Sequence, residues 1–246
     1  MFPFNIPAWH HLTSSILLIT ENLFLKKVSI REQLSFTYIK GAGIEIGALN
    51  RPLPVFHCSI VTYIDRLSLD DLQKHYPELK SVPLTVPDII DDGEQLARIR
   101  DDCCDFVIAN HFLEHCEDPL MTLKSFSRVL KTNGILYLAV PNKEKTFDRM
   151  REVTTWEHFE QDYITGPDIS RSEHYLDFSR LVMNNSDETC YQEAKKLAEN
   201  KYSIHFHVWD GGSFLDFLGR ICRSEPFHLL SLVYHADEMI AILKRK

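Results

Sequence analysis

The chain has 246 residues, 44% of them hydrophobic and 25% charged, with a formal net charge of −8. That length and apolar content suffice for a full core in one α/β domain and exclude a disordered or fibrous chain. The acidic balance, with no basic stripe beyond a tail of Lys244, Arg245 and Lys246 expected to be solvated, argues against nucleic acid as a partner.

In chain order, Leu12, Ile16, Leu17, Ile19, Leu23 and Leu25 fall at helical spacing and predict one or two helices between about residues 10 and 38. The run "ILLIT" from Ile16 is far short of the roughly 20 apolar residues that span a bilayer. No basic segment precedes it, so neither membrane insertion nor a signal peptide is expected, and a cytoplasmic location is. "GIEIG" reads as a short buried strand, and "SIVTYID" as a second strand ending on an acid. "SLDDLQKHYPEL" reads as a helix stopping near its proline, and "VPLTVPDII" as a third strand that its prolines push toward an edge. "CDFVIANHF" predicts a buried strand running into a turn. "DPLMTLKSFSRVLKTNG" predicts a helix capped by Asp118, with Pro119 at its first position and Gly134 just beyond its end, and "ILYLAVPN" the next strand. Strand and helix alternating in this way imply βαβ units and a parallel sheet.

Residues 144–203 break that rhythm with charge, His, Tyr and Trp. "GGSFLDFLGRIC" then predicts a helix, and "FHLLSLVYHA" and "EMIAILKR" two strands. Only Asp237 and Glu238 separate these strands, so they pair as an antiparallel hairpin. The six cysteines include one adjacent pair, Cys103 and Cys104, and no C-x-x-C, which implies reduced thiols. The expected organisation is one domain over 1–246. It comprises N-terminal helices (1–39), a cofactor-binding core (40–143), a substrate-side insertion or lid (144–204), and a last helix with the strand hairpin (205–246).

In a doubly wound sheet, ligands bind beyond the carboxyl ends of the strands, where strand order reverses. There the first strand would present Glu45 and Gly47: the glycine admits close approach, and the acid repels a pyrophosphate but attracts a cation. Asp65, twenty residues on, suits the two hydroxyls of a ribose, and Asp91 or Asp92 an adenine amino group. Adenosine with a positive charge and no phosphate points to S-adenosylmethionine (SAM), with S-adenosylhomocysteine as the expected product.

The pieces "IEIGALNRPL", "VTYIDR", "DIIDDGEQL", "CDFVIANHFLEHCEDPLMTLKSFSRVLKTNGILYLAVPN" and the terminal strand pair resemble the class I, Rossmann-fold SAM-dependent methyltransferases. The resemblance covers roughly residues 40 to 143 and 205 to 246, and is most specific from Asp105 to Asn142. It implies an α/β fold with a mostly parallel seven-stranded sheet, helices on both faces and an antiparallel C-terminal hairpin. It also implies a cofactor set of Glu45, Gly47, Ala48, Asp65, Arg66, Asp91 or Asp92, and Asn110. The family loop E/D-x-G-x-G-x-G is reduced here to Gly47 followed by Ala48, Leu49 and Asn50. That form is similar to a subgroup found beside glycosyltransferases in bacterial surface-polysaccharide gene clusters, which implies a glycan or related small-molecule acceptor.

His158 and His205 are the leading candidates for a general base, with His111 a further catalytic candidate, because imidazole titrates near neutrality. Asp162, Tyr163, His174, His207 and Trp209 are candidates for acceptor contacts, with Trp156, Tyr163 and Trp209 able to stack on sugar faces. If "HFHVW" is strand-like, His205, His207 and Trp209 share one face. His-x-His also suits a metal, but no third ligand is identifiable and none is expected. "HFLEH" matches the H-x-x-E-H zinc-peptidase pattern, which requires His111 and His115 on one helix with Glu114 as base; directly after a buried strand, that reading is remote. The reading that results is in-line methyl transfer to an acceptor hydroxyl. The alternatives are transfer to nitrogen or carboxylate of a small metabolite, or a catalytically silent partner protein. The amphipathic N-terminal helices could cap the site or pair subunits into a homodimer.

Overall fold

The computed structural model describes residues 28–246, so most of the expected N-terminal helical segment lies outside the described residues. Among these, seven strands form one sheet: β1 (Ala42–Ile46), β2 (Ile60–Asp65), β3 (Ile89–Ile90), β4 (Cys104–Asn110), β5 (Leu130–Pro141), β6 (Phe227–His235) and β7 (Glu238–Arg245). Their order is β3-β2-β1-β4-β5-β7-β6. The first five run parallel, and β7 lies antiparallel between β5 and β6. Strand order therefore reverses between β1 and β4, and a crevice opens beyond their carboxyl ends. The close approach of these two strands depends on Gly43, where a Cβ would sit 2.2 Å from the Phe106 carbonyl oxygen.

Seven helices are described: α1 (Ile30–Tyr38), α2 (Leu69–His75), α3 (Pro119–Val129), α4 (Trp156–Thr165), α5 (Arg171–Leu181), α6 (Asp187–Glu199) and α7 (Gly211–Ser224). Strand side chains alternate between faces, so the sheet has two cores. On one face Ile44, Ile46, Val107, Leu136 and Leu138 pack with Leu123 and Phe126 of α3 and Phe214, Phe217 and Leu218 of α7. On the other, Phe106, Ile108, Tyr137, Ile240 and Ile242 pack with Ile30 and Leu34 of α1. Sequence-encoded caps start the helices: Asp118 accepts from Met121 N, with Pro119 at the first position of α3, and Asp210 forms a capping box with Ser213 on α7.

Three boundaries differ from expectation. Of "VPLTVPDII" only Ile89 and Ile90 pair, since the prolines remove donors from the ladder. Helix α3 ends at Val129, and Leu130 already pairs with Cys104, so the turn through Asn133 (φ +68°) and Gly134 lies inside the strand segment. Lys244 and Arg245 belong to β7 rather than to a solvated tail; Arg245 bonds Asp102 and the Leu130 carbonyl. The C-terminal hairpin is antiparallel as expected, but it turns through Ala236 and Asp237, one residue earlier than expected, with Glu238 already in β7. All six cysteines are free thiols. Among the described residues, no helix is long and apolar enough to cross a membrane.

Candidate functional site

At the end of β1 the chain leaves the sheet through Gly47 (φ +64°), a left-handed conformation that a Cβ would strain. Its N–H donates to the Ile64 carbonyl at 2.9 Å, tying the loop to β2. Glu45 is 1% exposed, and both its oxygens accept from the Leu53 amide, at 2.9 and 3.2 Å. Burial raises its carboxyl to about 7. Its direct role is thus to close the loop over residues 47–53. Among the described residues, the Leu53 amide is the donor that meets this carboxylate.

The next strand ends supply the remaining polar groups. Asp65 is half-buried, which raises its carboxyl; Oδ1 accepts from Leu67 N at 3.1 Å, and the Arg66 backbone N–H also favours the charged form. Arg66 is exposed, with Nη2 3.2 Å from His75 Nε2. After β3, Asp91 spends both oxygens on the loop, accepting from Asp92 N and Arg98 N, whereas exposed Asp92 uses one on Glu94 N. At the end of β4 the side-chain amide of Asn110 has both its oxygen and its nitrogen buried without a partner. An orphaned amide costs about 1–3 kcal/mol, which makes Asn110 a candidate for contact with a ligand.

Beyond Asn110, "HFLEH" is not a helix. His111 takes a left-handed backbone (φ +49°), and Leu113–His115 form a single 3-10 turn. His111 lies between two acids, Nδ1 3.3 Å from Glu114 and Nε2 3.0 Å from Glu238, while His115 Nδ1 turns away toward the Ile204 carbonyl at 2.8 Å. The shared zinc of the peptidase pattern is therefore not built. Burial opposes the charged form of His111, but the bonds from Glu114 and Glu238 outweigh it and push the ring up to about 9. Two carboxylates that favour the charged ring make His111 a weaker proton acceptor than a free imidazole.

Glu238 is opposed by its burial, yet bonds from Arg31 and His111 hold it down at about 2. Its contribution to stability is thus complete above its unfolded value, near 4.5, and is lost as pH falls toward 2. The His111 contribution is complete below about 6.5 and lost as pH rises through 9. In thermal melts, the stability gap between the native chain and Glu238→Gln should close toward pH 2 and narrow in part above pH 9. A gap independent of pH would remove the network.

Residues 144–210 fold over this edge, and they divide the candidate histidines between two clusters. In the first, His205 Nδ1 meets Asp148 Oδ2 at 2.5 Å, and the ring packs on Phe147 and His115. Asp148 would be raised by burial, but bonds from His205 and Arg151 hold it low. Arg151, 2% exposed, donates to Asp148 Oδ1 (3.1 Å), Asp177 Oδ2 (2.6 Å) and the carbonyls of His205 (2.6 Å) and Phe206 (3.2 Å). In the second, His158 Nε2 is 3.0 Å from His174 Nε2 and 3.2 Å from Asp162 Oδ2, with fully buried His207 beside them.

The acceptor contacts read from sequence are mostly internal. Asp162, His174 and His207 are buried in the second cluster. Trp209, 1% exposed, stacks on Phe159 within the core, with its backbone bridging Asn142. Tyr163 bonds Lys124 of α3 through its hydroxyl (2.5 Å) and ring, and Trp156 packs on Phe217. Trp209 is thus part of the core, whereas Tyr163 stays exposed, with the Lys124 ammonium over its ring. "HFHVW" is not a strand; it makes a single bridge, and His205 parts from His207. Sequence reasoning missed Arg31, Asp148, Arg151 and Glu238. A charge in "FDRMR" reads as a solvated face, and only the i, i+3 spacing of Asp148 and Arg151 hinted at a pair.

Residues 41–138 match a family described as "Methyltransferase domain". No curated protein matches the chain. Among solved structures, it is similar to the CurJ carbon methyltransferase (13% identity, TM-score 0.43), covering 92% of this chain and 53% of that one, about half its length. It is similar to a Pyrococcus horikoshii protein (16%, TM-score 0.45, 95% and 91% of the two chains). It is also similar to a SAM-dependent methyltransferase from Aquifex aeolicus (13%, TM-score 0.44, 91% and 87%).

Proposed function

We propose that this chain, whose residues 41–138 match a methyltransferase domain, is a SAM-dependent methyltransferase that methylates a hydroxyl of a sugar, glycan or related small molecule. The residues present fit the cofactor. The orphaned Asn110 amide, the carboxylates of Asp65 and Asp92, and the left-handed turn at Gly47 all lie at the carboxyl ends of β1 to β4. Asp65 is the ribose ligand in this reading. Asp92 takes the adenine amino group, because Asp91 is committed to its own loop, and Glu45 shapes the loop over residues 47–53. Bound there, SAM supplies an electrophilic methyl group. The chain supplies orientation, exclusion of water and a base.

The observation that carries hydroxyl transfer is the pair of His205 and Asp148. A buried carboxylate on Nδ1 fixes the ring and leaves Nε2 to accept a proton. Nitrogen acceptors deprotonate more readily and have less use for such a pair. The bacterial polysaccharide setting is part of the proposal through the form of the "IEIGA…PL" loop.

Two measurements test the reading. Calorimetry should show SAM and S-adenosylhomocysteine binding, weakened about 10–100-fold in Asp65→Ala through loss of charge-assisted hydrogen bonds. Unchanged affinity would sink the ribose assignment, and no binding to the native chain would sink the cofactor. A methyl-transfer assay over nucleotide sugars, glycolipids and small amines should find turnover with a hydroxyl acceptor; turnover with amines alone would reassign the reaction.

A further inference from the structure

We propose that His158, Asp162, His174 and His207 form a binding site for one divalent cation of the zinc class, which fastens the 156–209 region into a fixed shape. Each residue offers one ligand atom, and the four atoms lie within 4.8 Å of one another. A tetrahedral ion with bonds of about 2.0–2.2 Å has edges of roughly 3.4 Å between ligands. The spacings here bracket that value: 3.0 Å from His158 to His174, 3.2 Å from His158 to Asp162, and 4.0 Å from His207 Nε2 to Asp162 Oδ2.

The bonding around the cluster is incomplete without an ion. Asp162 is 1% exposed; Ser170 Oγ donates to its Oδ1 at 2.6 Å, while Oδ2 is buried and accepts nothing. His207 is fully buried, with Nε2 3.3 Å from the Glu117 carbonyl and Nδ1 unpartnered. His158 and His174 bring two ring nitrogens together that can share one proton at most. Three imidazoles with one carboxylate suit zinc, cobalt or nickel better than calcium or magnesium. The second ligand on Asp162, Ser170, orients the carboxylate as supporting groups do in metal sites.

The ligands come from three places: His158 and Asp162 one turn apart on α4, His174 on α5, and His207 on the segment leading to α7. No short motif spans them, which is why His-x-His lacked further ligands in the sequence. The ion would tie two helices to the segment before α7 that also carries His205, two residues away. It would be a positioning element and not a participant in methyl transfer. The inference is independent of the acceptor.

The test is metal analysis of the full chain purified without a metal-affinity tag. About one zinc per chain is expected, and after chelation, cobalt should restore binding with the strong visible absorption of a four-coordinate N/O site. Asp162→Asn, nearly isosteric, and His174→Ala should each weaken metal binding by at least about 100-fold. His205→Ala should leave it intact. Failure of the native chain to take up zinc or cobalt would overturn the proposal, as would uptake that survives both substitutions. Loss of the ion in His205→Ala, with retention in His174→Ala, would move it to the neighbouring Glu114, His115 and His205 group instead.

Discussion

Replacing His205 with Ala should lower kcat by about 10²–10⁴-fold while leaving S-adenosylhomocysteine affinity unchanged. The ring stands against the turn that follows β4, and its Nδ1 is committed to Asp148 at 2.5 Å. Only Nε2 is left for a proton in transit. Asp148→Asn keeps the shape but exchanges a carboxylate for an amide, so it should cost less than the alanine change and act on kcat more than on KM. Initial rates with the acceptor identified by the panel decide the matter. An unimpaired His205→Ala enzyme would end the base assignment, yet leave the cofactor reading standing, because the two rest on different residues.

Arg151→Met should destabilise the protein by about 3–5 kcal/mol. The guanidinium is 2% exposed and joins two carboxylates to two backbone carbonyls, binding the turn at 147–150 to α5 and to the 205–206 segment. Met preserves much of the volume, so the cost comes from Asp148, a buried charge left with His205 alone. Urea unfolding measures it; a loss below about 1 kcal/mol would mean that water replaces the arginine without strain and that the cluster is not cooperative. Because Asp148 also orients His205, the variant should lose activity at temperatures where it is still folded.

The two effects separate what each half of the chain discloses in one dimension. From residue 40 to 143, local rules and global fold agree. Apolar runs become strands, Asp118 and Pro119 start a helix, and an acid or glycine at each strand end falls at the crevice. The exceptions there are local. Prolines cut the third strand to two residues, and Glu45 turns to its own loop because a buried carboxylate takes the nearest backbone donor. From 144 to 210 no such agreement exists. The helices α4, α5 and α6 have weak patterns, and the residues that matter meet over separations of 16 to 57 positions, as His158 with His174 and Asp148 with His205 do.

By itself, then, the sequence determined the parallel sheet, its antiparallel hairpin and the row of polar groups at the strand ends, because those follow from periodicity and from position along single strands. Only the tertiary structure decided that His111 is an acid-locked cation, that Trp209 is core, and that the remaining histidines divide between a carboxylate pair and a four-residue cluster. A side chain's chemistry depends on which charges and how little water surround it. Between residues 144 and 210 those neighbours arrive from distant segments, and no spacing along the chain records them.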